Sequence, residues 1–178
     1  MMRVFGAALC AALLSISTPA MAQQDWASRT QQMCAPFDTA ILQERVMPFV
    51  MDMAHPRVLD ALGALFGIDG EAAREMSLKG YEHTTKISKI LSHRVFCERS
   101  ILGRASSFDW AIIPYTLTLT IEGDRTPHFL CNRFVMFENN FGTYAVILSD
   151  HINDALLRDA LPVLAADVLS QEVSCDLP

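Results

Sequence analysis

Four of the five cysteines, those that remain once Cys10 is removed with the N-terminal apolar run, are the residues of this sequence whose type and number most directly imply chemistry. They are Cys34, Cys97, Cys131 and Cys175, and neither a C-x-x-C nor an H-x-x-x-H spacing accompanies them. The pattern therefore favours neither a zinc site nor a thiol redox pair. An even number of cysteines in an exported chain is typical of two disulfides. Of the three possible pairings we predict Cys34–Cys175 with Cys97–Cys131, because chain termini tend to lie close together.

The histidines and carboxylates form no recognisable catalytic pattern. The sequence contains no G-x-S-x-G, no H-E-x-x-H, no phosphate-binding glycine loop and no dinucleotide fingerprint. His83 and His93, if placed on one helix face, would be about 15 Å apart, too far to share a metal ion. We therefore predict no catalytic residue, no metal and no cofactor. A hydrolase with a site assembled from distant positions stays open as an alternative.

A set of basic residues is the candidate surface for a partner. If residues 79–104 form one helix, one stripe carries Lys79, His83, Lys86, His93 and Arg104. Basic residues predominate from 74 to 104 and acidic ones from 138 to the end. Such a face suits an acidic partner protein or an anionic ligand. The alternative is a solvated helix face that the acidic C-terminal helix neutralises.

A second candidate site is an apolar pocket between the helices and the sheet. Residues 129–137 are apolar on both faces of a predicted strand. Tyr115, Arg133 and Tyr144 are the polar groups we expect to orient a small ligand there.

The N-terminal residues predict export. One cation, Arg3, precedes an apolar run from Val4 to Ile16, and an Ala-x-Ala pattern ends at Ala22. These are the parts of a secretory signal peptide, and the apolar run is too short to span a bilayer. We predict cleavage between Ala22 and Gln23, in a segment kept extended by Pro19. Residues 1–22 are then the signal, and residues 23–178 form a single domain without a membrane-spanning segment.

The overall charge narrows the class of partner. The chain has 14 basic and 20 acidic residues, and loss of Arg3 leaves 13 against 20, a formal charge of −7. An acidic chain is a poor partner for nucleic acid or an anionic membrane surface.

The elements that must position these residues are helices, then strands, then a helix. Helical spacing covers 36–53, with a break near Pro48. A second predicted helix runs from Pro56 to Gly67. Asp69 caps a third helix, which either ends at Gly80 or continues to Gly103. Period-two alternation predicts strands at 110–121, 127–138 and around 144–148. We expect Trp26 to precede the first helix, and Pro162 to divide a last helix at 151–171. The predicted fold class is α+β, with N-terminal helices, a three-stranded antiparallel meander and a C-terminal helix packed on the sheet.

These observations favour an exported binding protein, periplasmic or secreted, held by disulfides. The expected partner is another envelope or extracellular protein, as for an inhibitor, an immunity-type protein or an envelope accessory factor. The alternatives are a small apolar ligand in the pocket and a hydrolase.

Overall fold

A computed structural model describes residues 19–124, 126–149 and 151–175, with the main chain alone for 19–24, 151 and 152. The helices α1 (Pro19–Leu42), α2 (Val46–Asp52), α3 (Pro56–Phe66) and α4 (Gly70–Ile87) come first. The strands β1 (Ser88–Val95), β2 (Ile101–Ala105), β3 (Phe108–Ile121), β4 (His128–Asn139) and β5 (Gly142–Leu148) follow, and then α5 (His151–Ala160) and α6 (Pro162–Leu169). The predicted α+β class is confirmed, with five antiparallel strands in the described residues where three were predicted.

The sheet has the strand order β1-β3-β4-β5, and β2 lies in line with β1 on the same side of β3. β3 is 14 residues long, so its first half pairs with β2, its second half with β1, and most of its length with β4. Consequently the β2–β3 turn at 106–107 and the β4–β5 turn at 140–141 lie at one end of the sheet. We call this end the hairpin end.

The prediction of a helix that continues from Gly80 to Gly103 was wrong. α4 includes Gly80 but ends at Ile87, and residues 88–95 and 101–105 are strands. A register shift between Ile90 and Ser92 interrupts the alternation of β1. Because a bulge adds one residue, Ile90 and Val95 face the same side although five positions separate them. That shift hides the period-two pattern that normally reveals a strand.

Both faces of the sheet are covered over residues 132–137, but Phe129 and Leu130 at the start of β4 are exposed, so the prediction of a strand covered on both faces over 127–138 was only partly right. The α1 face carries Ala111, Ile113, Tyr115, Phe134 and Met136 against α1 and α2. The α5 face carries Trp110, Ile112, Val135 and Phe137 against α3, α5 and α6. The predicted wet face of the first meander strand is found only beyond Thr116, because residues 110–116 are buried on both sides. The two central strands are therefore the rigid part of the fold.

Helix α1 starts earlier than predicted and contains Trp26. Along it Trp26, Thr30, Cys34, Phe37 and Ile41 recur every three or four residues, and all five are buried. Phe37 is fully buried and stacks on Phe134 with ring centroids 4.1 Å apart. The helical period was present in the sequence, but polar residues around Trp26 concealed it.

The predicted export signal is described only in its last residues. Residues 1–18 lie outside the described residues, and the predicted cleavage site between Ala22 and Gln23 falls within α1. The main chain there is helical, so the prediction that Pro19 keeps it extended was wrong for this chain. Among the described residues, no helix combines the length and apolar character needed to cross a bilayer.

The four cysteines form two disulfides, but the predicted pairing was wrong. Cys34 of α1 pairs with Cys97, and Cys131 of β4 pairs with Cys175. Cys34 belongs to the core on the α1 face, whereas Val173, in the C-terminal segment, packs on the α5 face. The sheet therefore separates the two cysteines nearest the termini, and each bridge instead joins its own segment to the nearest strand or turn.

Local capping signals were predicted well. Glu44 adopts a positive φ of 54° between α1 and α2, so the break near Pro48 falls a few residues earlier and Pro48 sits in the first turn of α2. Gly67 ends α3 in the left-handed conformation at φ 67°. Asp69 caps α4 by accepting a hydrogen bond from the main-chain nitrogen of Ala72 at 2.7 Å. These short-range signals fix where the helices turn.

His55 makes the stability of α3 depend on pH. Its Nδ1 accepts a hydrogen bond from the Arg57 main-chain nitrogen at 3.2 Å, which requires an unprotonated Nδ1. Burial, with a smaller effect of the Arg57 charge, lowers the pKa of His55 below its usual 6.5. The folded chain therefore binds this proton less readily than the unfolded chain, and the stability from neutral His55 is lost as the pH falls below about 6.5.

We expect the free energy of unfolding to fall between about pH 7 and about pH 5, and to fall less in His55→Asn, because asparagine caps a helix without titrating. Urea unfolding of both proteins at the two pH values measures the difference. Equal losses of stability in the two proteins would contradict a role for His55.

Candidate functional site

A polar cleft of about 440 Å³ opens at the hairpin end of the sheet, beneath the N-terminal part of α1. Helix α1 contributes Asp25, Trp26 and Arg29 to its lining, and the two hairpins contribute Arg104, Ser106, Ser107, Asp109, Glu138, Asn139 and Asn140. We call it the hairpin-end cleft. It forms where the apolar part of the α1 face ends and the strands carry charged side chains instead.

A row of charged side chains crosses the floor of the cleft. Arg104, Asp109 and Glu138 are register neighbours on β2, β3 and β4. Two carboxylates directly opposite each other repel, so each needs a cation of its own. Arg104 binds Asp109 through two hydrogen bonds of 2.6 and 2.8 Å. Arg29, on α1, reaches down to both oxygens of Glu138 at 2.7 and 2.8 Å. Arg29 thus links α1 to β4, and Arg104 links β2 to β3.

Both arginines stay charged in this setting. The hydrogen bond and the charge of Glu138 raise the pKa of Arg29, and Asp109 does the same for the pKa of Arg104. Arg29 also approaches Asp25 at 3.0 Å, although Asp25 is 62% exposed. Exposed ion pairs contribute little net stability because water competes for both charges. A bound ligand can therefore exchange these contacts at small cost.

Trp26 is the unusual residue of the cleft. Its side chain is only 4% exposed, and its buried indole Nε1–H has no hydrogen-bond acceptor among the described residues. The other tryptophan, Trp110, donates from Nε1 to Asp167 at 3.4 Å. A buried donor without an acceptor costs about 1–3 kcal/mol. Because Nε1 is itself buried, other parts of Trp26 form the wall of the cleft.

The two turns at the rim of the cleft have defined conformations. Ser106 has a φ of 55°, a conformation that usually needs glycine and costs about 1 kcal/mol for other residues. Asn139 holds the other turn by accepting from the main-chain nitrogens of Phe141 and Gly142 at 2.8 and 3.2 Å. Phe141, at the tip of that turn, is 89% exposed. An aromatic ring is thus presented to solvent beside a polar cleft.

The predicted basic surface is not one surface. Lys79, His83 and Lys86 are exposed on α4, and Lys79 lies 3.6 Å from Glu75. His93 is on β1 and pairs with Asp38 of α1 at 2.9 Å. Arg104 is on β2 in the hairpin-end cleft. The stripe depended on a continuous helix over 79–104, so it breaks up where the chain becomes strand.

The three residues of the predicted ligand pocket do not converge. Tyr115 is on the α1 face, fully enclosed, with its ring edge-on to Phe37 at 5.1 Å and its hydroxyl accepting from Asn132 at 3.4 Å. Burial raises the pKa of this hydroxyl. Arg133 and Tyr144 are on the opposite face, where Arg133 pairs with Asp154 at 3.2 Å. Odd-numbered residues lie on the α1 face in β3 but on the α5 face in β4, so Tyr115 and Arg133 are on opposite faces of the sheet.

The described lining of the cleft can be compared with known catalytic and metal-binding arrangements. Of the described residues, serines and carboxylates but no histidine line it, so these residues form no Ser–His–carboxylate arrangement there. Among the described residues, no group of three or more histidine, cysteine or acidic side chains could hold a metal ion. From the sequence, Asp109, Glu138 and Arg29 had no predicted role in a site, since only the docking of α1 brings Arg29 to Glu138.

Comparison of the chain with family models, with curated proteins and with solved structures gives no match.

Proposed function

We propose that the chain is exported and acts outside the cytoplasm by binding another protein. The N-terminal pattern supports export, and two disulfides are compatible with it, because such bonds persist in oxidising compartments. In this proposal the mature chain begins at Gln23 and works in the periplasm or the medium, as an inhibitor, an immunity-type protein or an envelope accessory factor.

The hairpin-end cleft is the proposed binding site, and the concentration of arginine–carboxylate pairs in its lining is the observation that carries this proposal. Tryptophan and arginine are also the residues most often responsible for binding energy at interfaces. Trp26, Arg29 and Arg104 lie together in this cleft.

The cleft is preorganised for a partner. Cys34–Cys97 bonds the middle of α1 to the turn after β1, and Phe37 anchors the same helix on β4. Because α1 cannot swing freely, Trp26 and Arg29 are held over the strands before a partner arrives. A rigid site loses less conformational entropy on binding.

Filling the cleft tests the proposal. Ser107 is exposed at the rim without a left-handed φ, so Ser107→Trp should leave the fold intact and block the mouth of the cleft. We expect the tagged full-length chain, exported in its own host, to lose at least about tenfold of its partner capture with this substitution, about 1.4 kcal/mol or more.

The matched comparison uses the exposed cations of α4, which are the remaining part of the predicted basic surface. Lys79→Glu with Lys86→Glu should leave capture unchanged, and circular dichroism should show all variants folded. If the α4 variant lost its partner while Ser107→Trp kept it, the α4 surface would be the binding site and the cleft would not.

A further inference from the structure

A second groove lies at the bend between α5 and α6, on the face of the sheet opposite to the hairpin-end cleft. Its volume is about 440 Å³, and its described lining is Arg158, Pro162, Ala165, Ala166, Leu169 and Ser170. We call it the α5–α6 groove. We infer that it binds a small amphiphile, an alkyl chain that ends in a carboxylate. This inference is independent of the proposed function.

The bend between the helices and two small side chains create the groove. Pro162 begins α6, and the lining residues recur at intervals of one, three or four positions, so they share one side of the bent pair of helices. Leu164 and Val168 are fully buried in the core, so α6 cannot rotate to close the groove. Ala165 and Ala166 have only a methyl group each, and they leave a depression that an alkyl chain can fill.

Arg158 is the charged residue of the described lining, and its charge is unpaired. Its side chain is exposed and makes no ion pair or hydrogen bond with the described residues. Two nearby carboxylates are engaged elsewhere, since Asp154 binds Arg133 at 3.2 Å and Asp167 accepts from Trp110 at 3.4 Å. A guanidinium binds both oxygens of a carboxylate through parallel N–H groups. An unpaired guanidinium beside an apolar wall therefore suits a carboxylate with an apolar chain.

The start of α6 reinforces the preference for an anion. Its N-cap residue, Leu161, makes no side-chain cap hydrogen bond, so no side chain offsets the positive end of the helix dipole there. Asp159 follows Arg158 in the sequence, but it is exposed and is not among the lining residues. A wholly polar ligand would leave the apolar wall unused, and a wholly apolar ligand would leave Arg158 without a partner. An alkyl carboxylate matches both parts of the groove.

Three probes of equal chain length test the inference on the purified, disulfide-bonded protein: octanoate, 1-octanol and octylammonium. Nitrogen–proton correlation spectra follow the main-chain amide signals during each titration. We expect octanoate to shift the signals of Ala165, Ala166 and Leu169 progressively and to leave that of Ser107, at the hairpin end, in place. 1-Octanol should bind more weakly, and octylammonium weakest. Hexanoate should bind about fourfold more weakly than octanoate, half the free-energy loss expected for two fully buried methylenes, because the groove is open on one side.

Variants at exposed positions separate the two parts of the groove. Arg158→Gln should weaken octanoate roughly fourfold, as for one exposed ion pair, and leave 1-octanol unchanged. Lys86→Gln, which removes a charge from an exposed site on α4, should not change either affinity. Ala166→Phe should block all three probes by filling the depression. Tighter binding of octylammonium, no shift of the α6 amides, or equal losses in Arg158→Gln and Lys86→Gln would overturn the inference. Because the hairpin-end cleft lies on the opposite face of the sheet, the proposed function would stand in each case.

Discussion

Replacing Cys34 and Cys97 together by alanine is expected to lower the free energy of unfolding by about 4 kcal/mol. The bridge spans 63 residues of sequence, and closing a loop of that size removes much conformational entropy from the unfolded chain. The same bond also holds α1 on the sheet, so its loss should loosen the wall of the hairpin-end cleft as well as the fold.

Urea unfolding of the oxidised protein and of the double variant measures this loss. The matched double variant at Cys131 and Cys175, a 44-residue separation, should lose a similar amount because the entropy depends only logarithmically on loop length. A loss below about 1 kcal/mol for both would contradict a stabilising role of the bridges.

Single variants check the connectivity. Cys34→Ala should leave Cys97 as the reactive thiol, identified by alkylation and peptide mass mapping. Alkylation of Cys175 in that variant would mean that the sulfur atoms pair differently from the structure.

The parts of the fold set by neighbouring residues could be predicted from the sequence. Gly67 and Asp69 act within one turn of the chain, and Pro162 divides α5 from α6 as expected. The meander of β3, β4 and β5 was also predictable, since its short turns join strands with clear apolar alternation.

The parts set by contacts between distant residues could not be predicted. The shift between Ile90 and Ser92 makes β1 resemble a helix, and only pairing with β3 shows it as a strand. Arg29 and Glu138 are 109 residues apart, so no local pattern connects them. The disulfide pairing failed for the same reason, because which cysteines lie on the same face depends on the completed sheet.

The same limit applies to the candidate site. Arg104 was singled out from the sequence for its charge, but its partner Asp109 follows from the β2–β3 hairpin, and β2 was not foreseen. Trp26 was placed outside the first helix, although the spacing from Trp26 to Ile41 carries a helical period. A search for sparse apolar residues in polar segments would have found that signal.

Site-specific photo-crosslinking identifies the surface at which a partner contacts this protein. Benzoylphenylalanine in place of Asn140 lies at the rim of the hairpin-end cleft. In place of Val163, which is 54% exposed, it lies on α6, on the opposite face of the sheet. Both positions tolerate a large side chain because both face solvent.

Illumination of the exported full-length chain in its native compartment should give a specific adduct from position 140 and none from position 163. Ser107→Trp should remove that adduct, because it fills the space that the partner occupies. An adduct from position 163 alone, or no adduct at 140 while a partner is still captured, would show that the protein binds elsewhere than at the cleft.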